Sequence, residues 1–250
     1  MKIKKVAVLI ILALISALSL SAKERRVLVY TKNGEGYIHD NIAASVEALK
    51  KLGAENGFKV DVCDDPALFT DANLKKYNAL IFNNTNNDVF ANDEQRAAFK
   101  RYIQSGGGFV GIHSACGTER NWPWFWDMLG GKFIRHCPYQ KFTVRIIDPG
   151  HPSTSMYGKT FEWEDEGYYL TNLNPDIHVL MAHDLTTITD EGKVQFPGNV
   201  FGELFPSAWC HEFDGGREWY TSYGHNPVHY QDPLFLRHLL GGIRWAMNVK

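Results

Sequence analysis

His113 lies within the stretch GGGFVGIHSACG (Gly106–Gly117), where a glycine cluster feeds a short apolar run and small residues follow the ring. The pattern reads as a strand running into a tight turn, the setting that holds a reactive side chain at the edge of a sheet. The apex is an imidazole, so the chemistry expected there is acid–base work or metal ligation near neutral pH. Ser114 stands one residue late for a serine nucleophile. Cys116 stands three residues past the apex, too late for the thioester chemistry of a glutaminase. Covalent acyl transfer is therefore disfavoured.

Nine further histidines are present. His39 falls between an expected strand and helix, His136 follows LGGKFIR, His211 sits beside Glu212 in WCHEF, and His225 closes YTSYGHN. His178, His229 and His238 have no such setting and read as surface or packing residues. Clustered imidazoles suit zinc or a similar divalent metal, and His113, His136 and His211 are the candidate ligands. No HExxH or paired CxxC spacing accompanies them. The segment EWEDEGYYL supplies Asp165 and Glu166 as candidate acid–base carboxylates. If it is extended, Glu164 and Glu166 share a face. Asn121–Trp126 (NWPWFW), with Trp124 within it, is a candidate platform for a flat-faced ligand such as a sugar.

The elements that must position these residues are legible as patterns. Arg26–Tyr30, Phe58–Cys63, Ala79–Asn83 and Phe109–His113 read as strands, and the repeat of Ile42, Val46, Leu49 and Leu52 reads as a helix ended by Gly57. A second helix is expected from an Asn92 N-cap to Gly106. This alternation predicts an α/β fold with a mostly parallel central sheet flanked by helices. Thr31, Asn83, Asn84, Thr85, His113 and Ser114 would then meet beyond the carboxyl ends of the strands, where such sheets bind ligands. The second half predicts strands at Lys141–Asp148, His178–Asp184, Ser207–Phe213 and Glu218–His225, then a helix from Pro233, extending one domain.

The chain has 250 residues and a net charge of −2, which leaves no basic surplus for a nucleic-acid partner. Lys2, Lys4 and Lys5 precede an apolar run from Val6 to Leu20, and small residues follow. That is the plan of a secretory signal peptide over residues 1–22; the run is short of the roughly 20 residues that span a bilayer. An exported mature chain of 23–250 is expected, periplasmic or secreted, without stable membrane insertion. An uncleaved anchor is the alternative. Export would allow disulfides among Cys63, Cys116, Cys137 and Cys210, with the pairing open.

Several segments together resemble the ThuA-like family, named for trehalose utilisation. They are GYIHDNI, FNNTNNDVF, GGGFVGIHSA, WPWFWDMLGGKF with His136, HPST, EDEGYYL, AWCHEFDGGREWYTSYGH and GGIRWAMN. The resemblance runs from about Arg26 to Asn248. It departs from the family's usual GFRHDSI at Tyr37 and Ile38, and Cys137 interrupts its usual HP. The resemblance implies a flavodoxin-like fold related to class I glutamine amidotransferases. It also implies site residues at His39, Asp40, His113, Ser114, His136, Asp165, Glu166, His211, Glu212 and His225. The implied partner is a small-molecule carbohydrate, either a glycoside or an oxidised 3-keto sugar. On this reading His113, Asp165, Glu166 and His211 carry catalysis, by elimination or hydrolysis, with a divalent metal as candidate cofactor. His39, Asp40, Ser114, Glu212 and His225 bind substrate on the same reading, and Asn84 at the strand-end rim and Trp124 in the aromatic run are further substrate-binding candidates from the pattern itself. A non-catalytic sugar-binding module is the alternative, and homo-oligomerisation is open.

Overall fold

In the computed structural model, which describes residues 24–192 and 201–249, strand and helix alternate through the first half as the apolar patterns predict. The expected signal segment lies outside the described residues. Strands β1 (Arg25–Tyr30), β2 (Phe58–Cys63), β3 (Ala79–Asn83) and β4 (Gly108–Ile112) alternate with helices. These are α1 (Ile42–Asn56), a single turn α2 (Asp71–Leu74) and α3 (Asp93–Gln104). Gly57 ends α1 in the left-handed region, and the Asn92 side chain caps α3 by accepting from Gln95 N.

The second half adds α4 (Pro123–Leu129), the small antiparallel pair β5 (Lys132–His136) and β8 (Tyr168–Thr171), and strands β6 (Gln140–Ile146) and β7 (Thr160–Asp165). It continues with β9 (His178–Asp184), β10 (Leu204–Phe213), β11 (Gly216–Thr221) and α5 (Pro233–Ala246). The apolar patterns do not mark α4, β5, β7 or β8. Their sequences mix aromatic, glycine and charged residues with no clean period, and cross-strand pairing fixes them instead.

Nine strands form one sheet in the order β2-β1-β3-β4-β11-β10-β9-β6-β7. The first five are parallel, in the 2-1-3-4-5 order of flavodoxin-like sheets, with β11 in fifth place. The remaining four are antiparallel to their neighbours. The sheet is therefore mixed, since β10 and β11 form a tight hairpin that reverses direction.

Alternation along each strand feeds two cores. Leu28, Leu80 and Phe109 face α3 and α4, whereas Val27, Ile81 and Val110 face α1 and α5. Phe99 of α3 is fully buried and meets Phe69, Phe82, Phe90, Phe109 and Phe125 within 6.2 Å of ring centroids. Truncating such a ring costs about 3–5 kcal/mol, so this cluster locks α3 against the strands that carry the rim. No helix among the described residues is long and apolar enough to cross a membrane.

Candidate functional site

β4 stops at Ile112 because His113 turns into the left-handed region at φ 52°. Few non-glycine residues adopt that conformation, and those that do cluster at functional sites. A 3-10 turn, His113–Gly117, follows. The His113 ring is fully buried. Its Nδ1–H donates to the Ser222 carbonyl at 2.7 Å, which leaves the lone pair of the neutral ring on Nε2. The Tyr168 hydroxyl donates to that nitrogen at 2.8 Å. Burial, reinforced by His39, holds the imidazole pKa well below its ordinary value.

β11 ends at Thr221, four residues short of the strand expected, and residues 222–225 peel away over the rim. Gly224 makes this turn at φ 114°, and a Cβ there would lie 2.7 Å from the Tyr230 hydroxyl. His225 Nδ1 consequently stands 3.3 Å from His113 Nε2 and 3.2 Å from Glu166 Oε2. Glu166 Oε2 is 3.7 Å from His113 Nε2. His39 packs edge-on against both rings, at 4.7 and 5.3 Å between centroids, with its Nδ1 3.3 Å from Ser114 Oγ. One ligand atom from each of His39, His113, Glu166 and His225 lies within 4.8 Å of the others.

The charges are coupled. Burial, then His225, lowers His39 to about 4. The Glu166 hydrogen bond raises His225 against the opposing effect of burial. Burial alone would raise Glu166, but the His225 hydrogen bond and the nearby imidazoles hold it below its ordinary value. His136 donates Nδ1–H to the Cys137 carbonyl at 2.8 Å, and the same nitrogen is 3.5 Å from Glu166 Oε1. Its Nε2 lone pair is left for a ligand.

Two buried polar devices hold the rim in place. Asp165 accepts from the backbone N–H of Glu166 (2.8 Å) and Gly224 (2.9 Å), and from Trp163 Nε1 (3.0 Å). His229 Nδ1 lies 3.5 Å away. Burial raises the Asp165 pKa, and these donors pull it back only in part. Asn41 Nδ2 is shared among Asn84 Oδ1, Gly224 O and His225 O, and Asn84 in turn donates to the Tyr230 hydroxyl. Buried amide donors shared in this way tie the start of α1 to the turn at Gly224 and His225 and rigidify it.

Above the cluster is a cleft of about 320 Å³, at the small end of the range for ligand pockets. His39, Ser114, His136, Glu166 and His225 form its polar side. Phe133 and Tyr168 form an aromatic wall, with Tyr37 and Arg120 also lining it.

Fit to a metal can be tested on distances. Ligands about 2.0–2.1 Å from a tetrahedral zinc stand about 3.3 Å apart. The His225–Glu166, His225–His113 and His113–Glu166 separations of 3.2, 3.3 and 3.7 Å are close to such edges. A ligating histidine usually donates its other N–H to a carbonyl or carboxylate, as His113 does to Ser222. The donor set of two or three imidazoles and a carboxylate suits zinc and its neighbours. The residues fit a divalent metal, which would replace the Tyr168 hydroxyl on the His113 Nε2 lone pair.

The structure therefore gathers His39, His113, Ser114, Glu166 and His225, with His136 beside them, and separates the rest. His211 is on the opposite end of the sheet: β10 runs antiparallel to β11, so its end lies far from the rim, and His211 Nε2 donates to the Met128 carbonyl. Glu212 follows it there and pairs with Arg217. His211 is thus neither a catalytic nor a metal-ligating neighbour of His113. Trp124 packs on Trp122 and donates to Asp214 in the β10–β11 turn, away from the cleft. Asp40 is exposed and lines no part of the cleft. Asp165 and Asn84 sit behind the cleft as positioning residues. Glu164 is exposed whereas Glu166 points inward, because β7 ends at Asp165 and the alternation stops. His113 itself is fully buried with its Nε2 covered by the Tyr168 hydroxyl, so the imidazoles that line the cleft are those of His39, His136 and His225, of which His136 is the most exposed. Phe133, Asn86 and Arg120 also line the cleft, and no local sequence signal marks them, because they sit in loops and a short strand whose place is set by pairing and packing.

All four cysteines are free. Cys116 accepts from the Tyr220 hydroxyl, and burial pushes its thiol up to about 12, the reverse of an activated thiolate.

A family model described as ThuA, trehalose utilisation, matches residues 26–246. A ThuA-like protein from Bacteroides uniformis superposes with a TM-score of 0.70 at 26% identity, over 90% of this chain and 92% of that one. A ThuA-like protein from Parabacteroides merdae gives 0.71 at 19% identity, over 90% of each chain. Part of a family GH42 β-galactosidase, Gan42B, shares the fold at 0.55 and 13% identity, over 90% of this chain and 30% of that enzyme. No curated protein matches the chain.

Proposed function

The chain belongs to the ThuA family, trehalose utilisation, and on that premise we propose that it is an exported protein that transforms a glycoside or an oxidised 3-keto sugar in the cleft above His113. The observation that carries this reading is the convergence of His39, His113, Glu166 and His225 from four separate loops beneath a 320 Å³ cleft with an aromatic wall.

These four residues would hold a divalent metal, zinc or similar. When bound, such a metal supplies Lewis-acid polarisation of a ligand oxygen. The remaining chemistry falls to the chain. Phe133 and Tyr168 offer ring faces to the C–H face of a sugar. His136, with Nδ1–H fixed on Cys137 O, takes a proton at Nε2 from the carbon beside the substrate carbonyl. The electron pair forms a C=C bond and expels the glycosidic oxygen, which takes the proton back from His136 Nε2 as it leaves, and water adds across that double bond afterwards. Ser114 Oγ, beside His39, orients a hydroxyl at the floor.

The test is a turnover assay on the purified protein with 3-keto-trehalose and with trehalose, before and after chelation, alongside elemental analysis. Consumption of the keto sugar, lost on chelation and restored by zinc, supports the reading. Turnover of unoxidised trehalose would assign plain hydrolysis. Binding of either sugar without turnover would make the protein a sugar-binding module.

A further inference from the structure

We propose that Arg120 is an anion-recognition residue, and that the ligand of this cleft is a sugar bearing a carboxylate or a phosphate. The proposal rests on the carbohydrate reading above and adds the charge class of the ligand.

The observation is an unpaired charge. Every other arginine among the described residues that is not exposed holds a carboxylate: Arg26 with Asp61, Arg96 with Glu119, Arg135 with Asp190 and Arg217 with Glu212. Arg120 is partly buried and holds no carboxylate of the described residues within 4 Å. Its neutral partners are the Gly117 carbonyl, reached from Nε at 3.1 Å, and Asn86 Oδ1, reached from Nη2 at 3.1 Å. The guanidinium lies over the Phe133 ring, 5.4 Å from its centroid. The adjacent carboxylate, Glu119, is turned away and committed to Val89 N, Phe90 N and Arg96.

A guanidinium has five N–H donors, so two bonds leave three. The group is immobilised by the Gly117 carbonyl, by Asn86 and by an aromatic face, and it lines the cleft. Removing a cation part-way from water without a counter-charge is costly; a ligand anion supplies that counter-charge. A planar fork is suited to the two oxygens of a carboxylate or phosphate. The placement also fits a sugar. Arg120 contacts Phe133, Phe133 contacts Tyr168, and Tyr168 contacts His113. The guanidinium and the histidine cluster are thus connected by one aromatic wall along the same cleft.

The test is calorimetric titration of the full protein with D-glucose, D-glucuronate and glucose 6-phosphate, repeated on R120Q and R120K. At least one charged sugar is expected to bind tenfold or more tightly than glucose. R120Q should abolish that advantage, R120K should keep part of it, and added salt should shrink it. The glucuronate and phosphate arms identify which anion is recognised. Equal affinity for charged and neutral sugars, no binding of any of the three at millimolar concentration, or an advantage that survives in folded R120Q would overturn the proposal. Loss of the metal reading would appear separately, as a metal-free protein whose sugar selectivity still depends on Arg120.

Discussion

Asp165 Oδ2 accepts the Gly224 backbone N–H at 2.9 Å while its other oxygen accepts that of Glu166, so one buried carboxylate sets the spacing between Glu166 and His225. Hydrogen bonds to a charged acceptor contribute about 1.5–3 kcal/mol each. D165A is expected to lose at least about 2 kcal/mol of stability in urea unfolding and to loosen the His225–Glu166 pair. A variant with native stability and native zinc uptake would remove Asp165 from this role.

Metal binding separates the residues that the structure gathers from those that it does not. Zinc at a hundred times its Kd should stabilise the native protein by about 2.7 kcal/mol, read as a rise in melting temperature. H225A and E166Q should lose that rise, since even outer-shell changes weaken metal sites about 10–100-fold. H211A and E212A should keep it. A zinc response that disappears in H211A but persists in H225A would refute the assignment.

His136 lines the cleft with an exposed ring and a free Nε2. H136A is expected to lower kcat by about 10²–10⁴, the usual contribution of general acid–base catalysis, with metal content unchanged. Near-native kcat in a metal-loaded H136A would return the proton-transfer role to another group.

Glu218 gives the fold a pH dependence remote from the site. The residue is 1% exposed, neither carboxyl oxygen has a hydrogen-bond partner among the described residues, and burial raises its pKa well above the ordinary value. The unfolded chain ionises near the ordinary glutamate value of about 4.3, whereas the folded chain keeps the proton. The native state therefore binds more protons, and stability falls as pH rises from about 4.3 towards the raised folded value, by up to about 1.4 kcal/mol per unit. E218Q should flatten this part of the profile in urea titrations between pH 5 and 8. An unchanged slope would show that Glu218 is ionised in the fold.

The parallel half of the fold was legible because its signals are local. Val27, Leu28 and Val29 form a run buried on both faces, Asn92 caps its own helix, and Gly57 ends another; each needs only its neighbours in sequence. Those signals also placed His39, Ser114 and His113 on one rim, since the end of a parallel strand is fixed once its direction is known. His211 and His225 mark where local signals stop. Both lie near the ends of strands in WCHEF and YTSYGHN, and no property of either heptad or pentad says which end of the sheet it reaches. The β10–β11 hairpin decides it: reversal at Asp214 and Gly215 sends His211 to the far edge and returns the chain to the rim. There Gly224, held by Asp165 and Asn41, turns His225 onto Glu166. The amino-acid order determined the elements and the turn at His113; which side chains share its pocket was decided by strand direction and buried hydrogen bonds, because convergence depends on distances that sequence spacing does not contain.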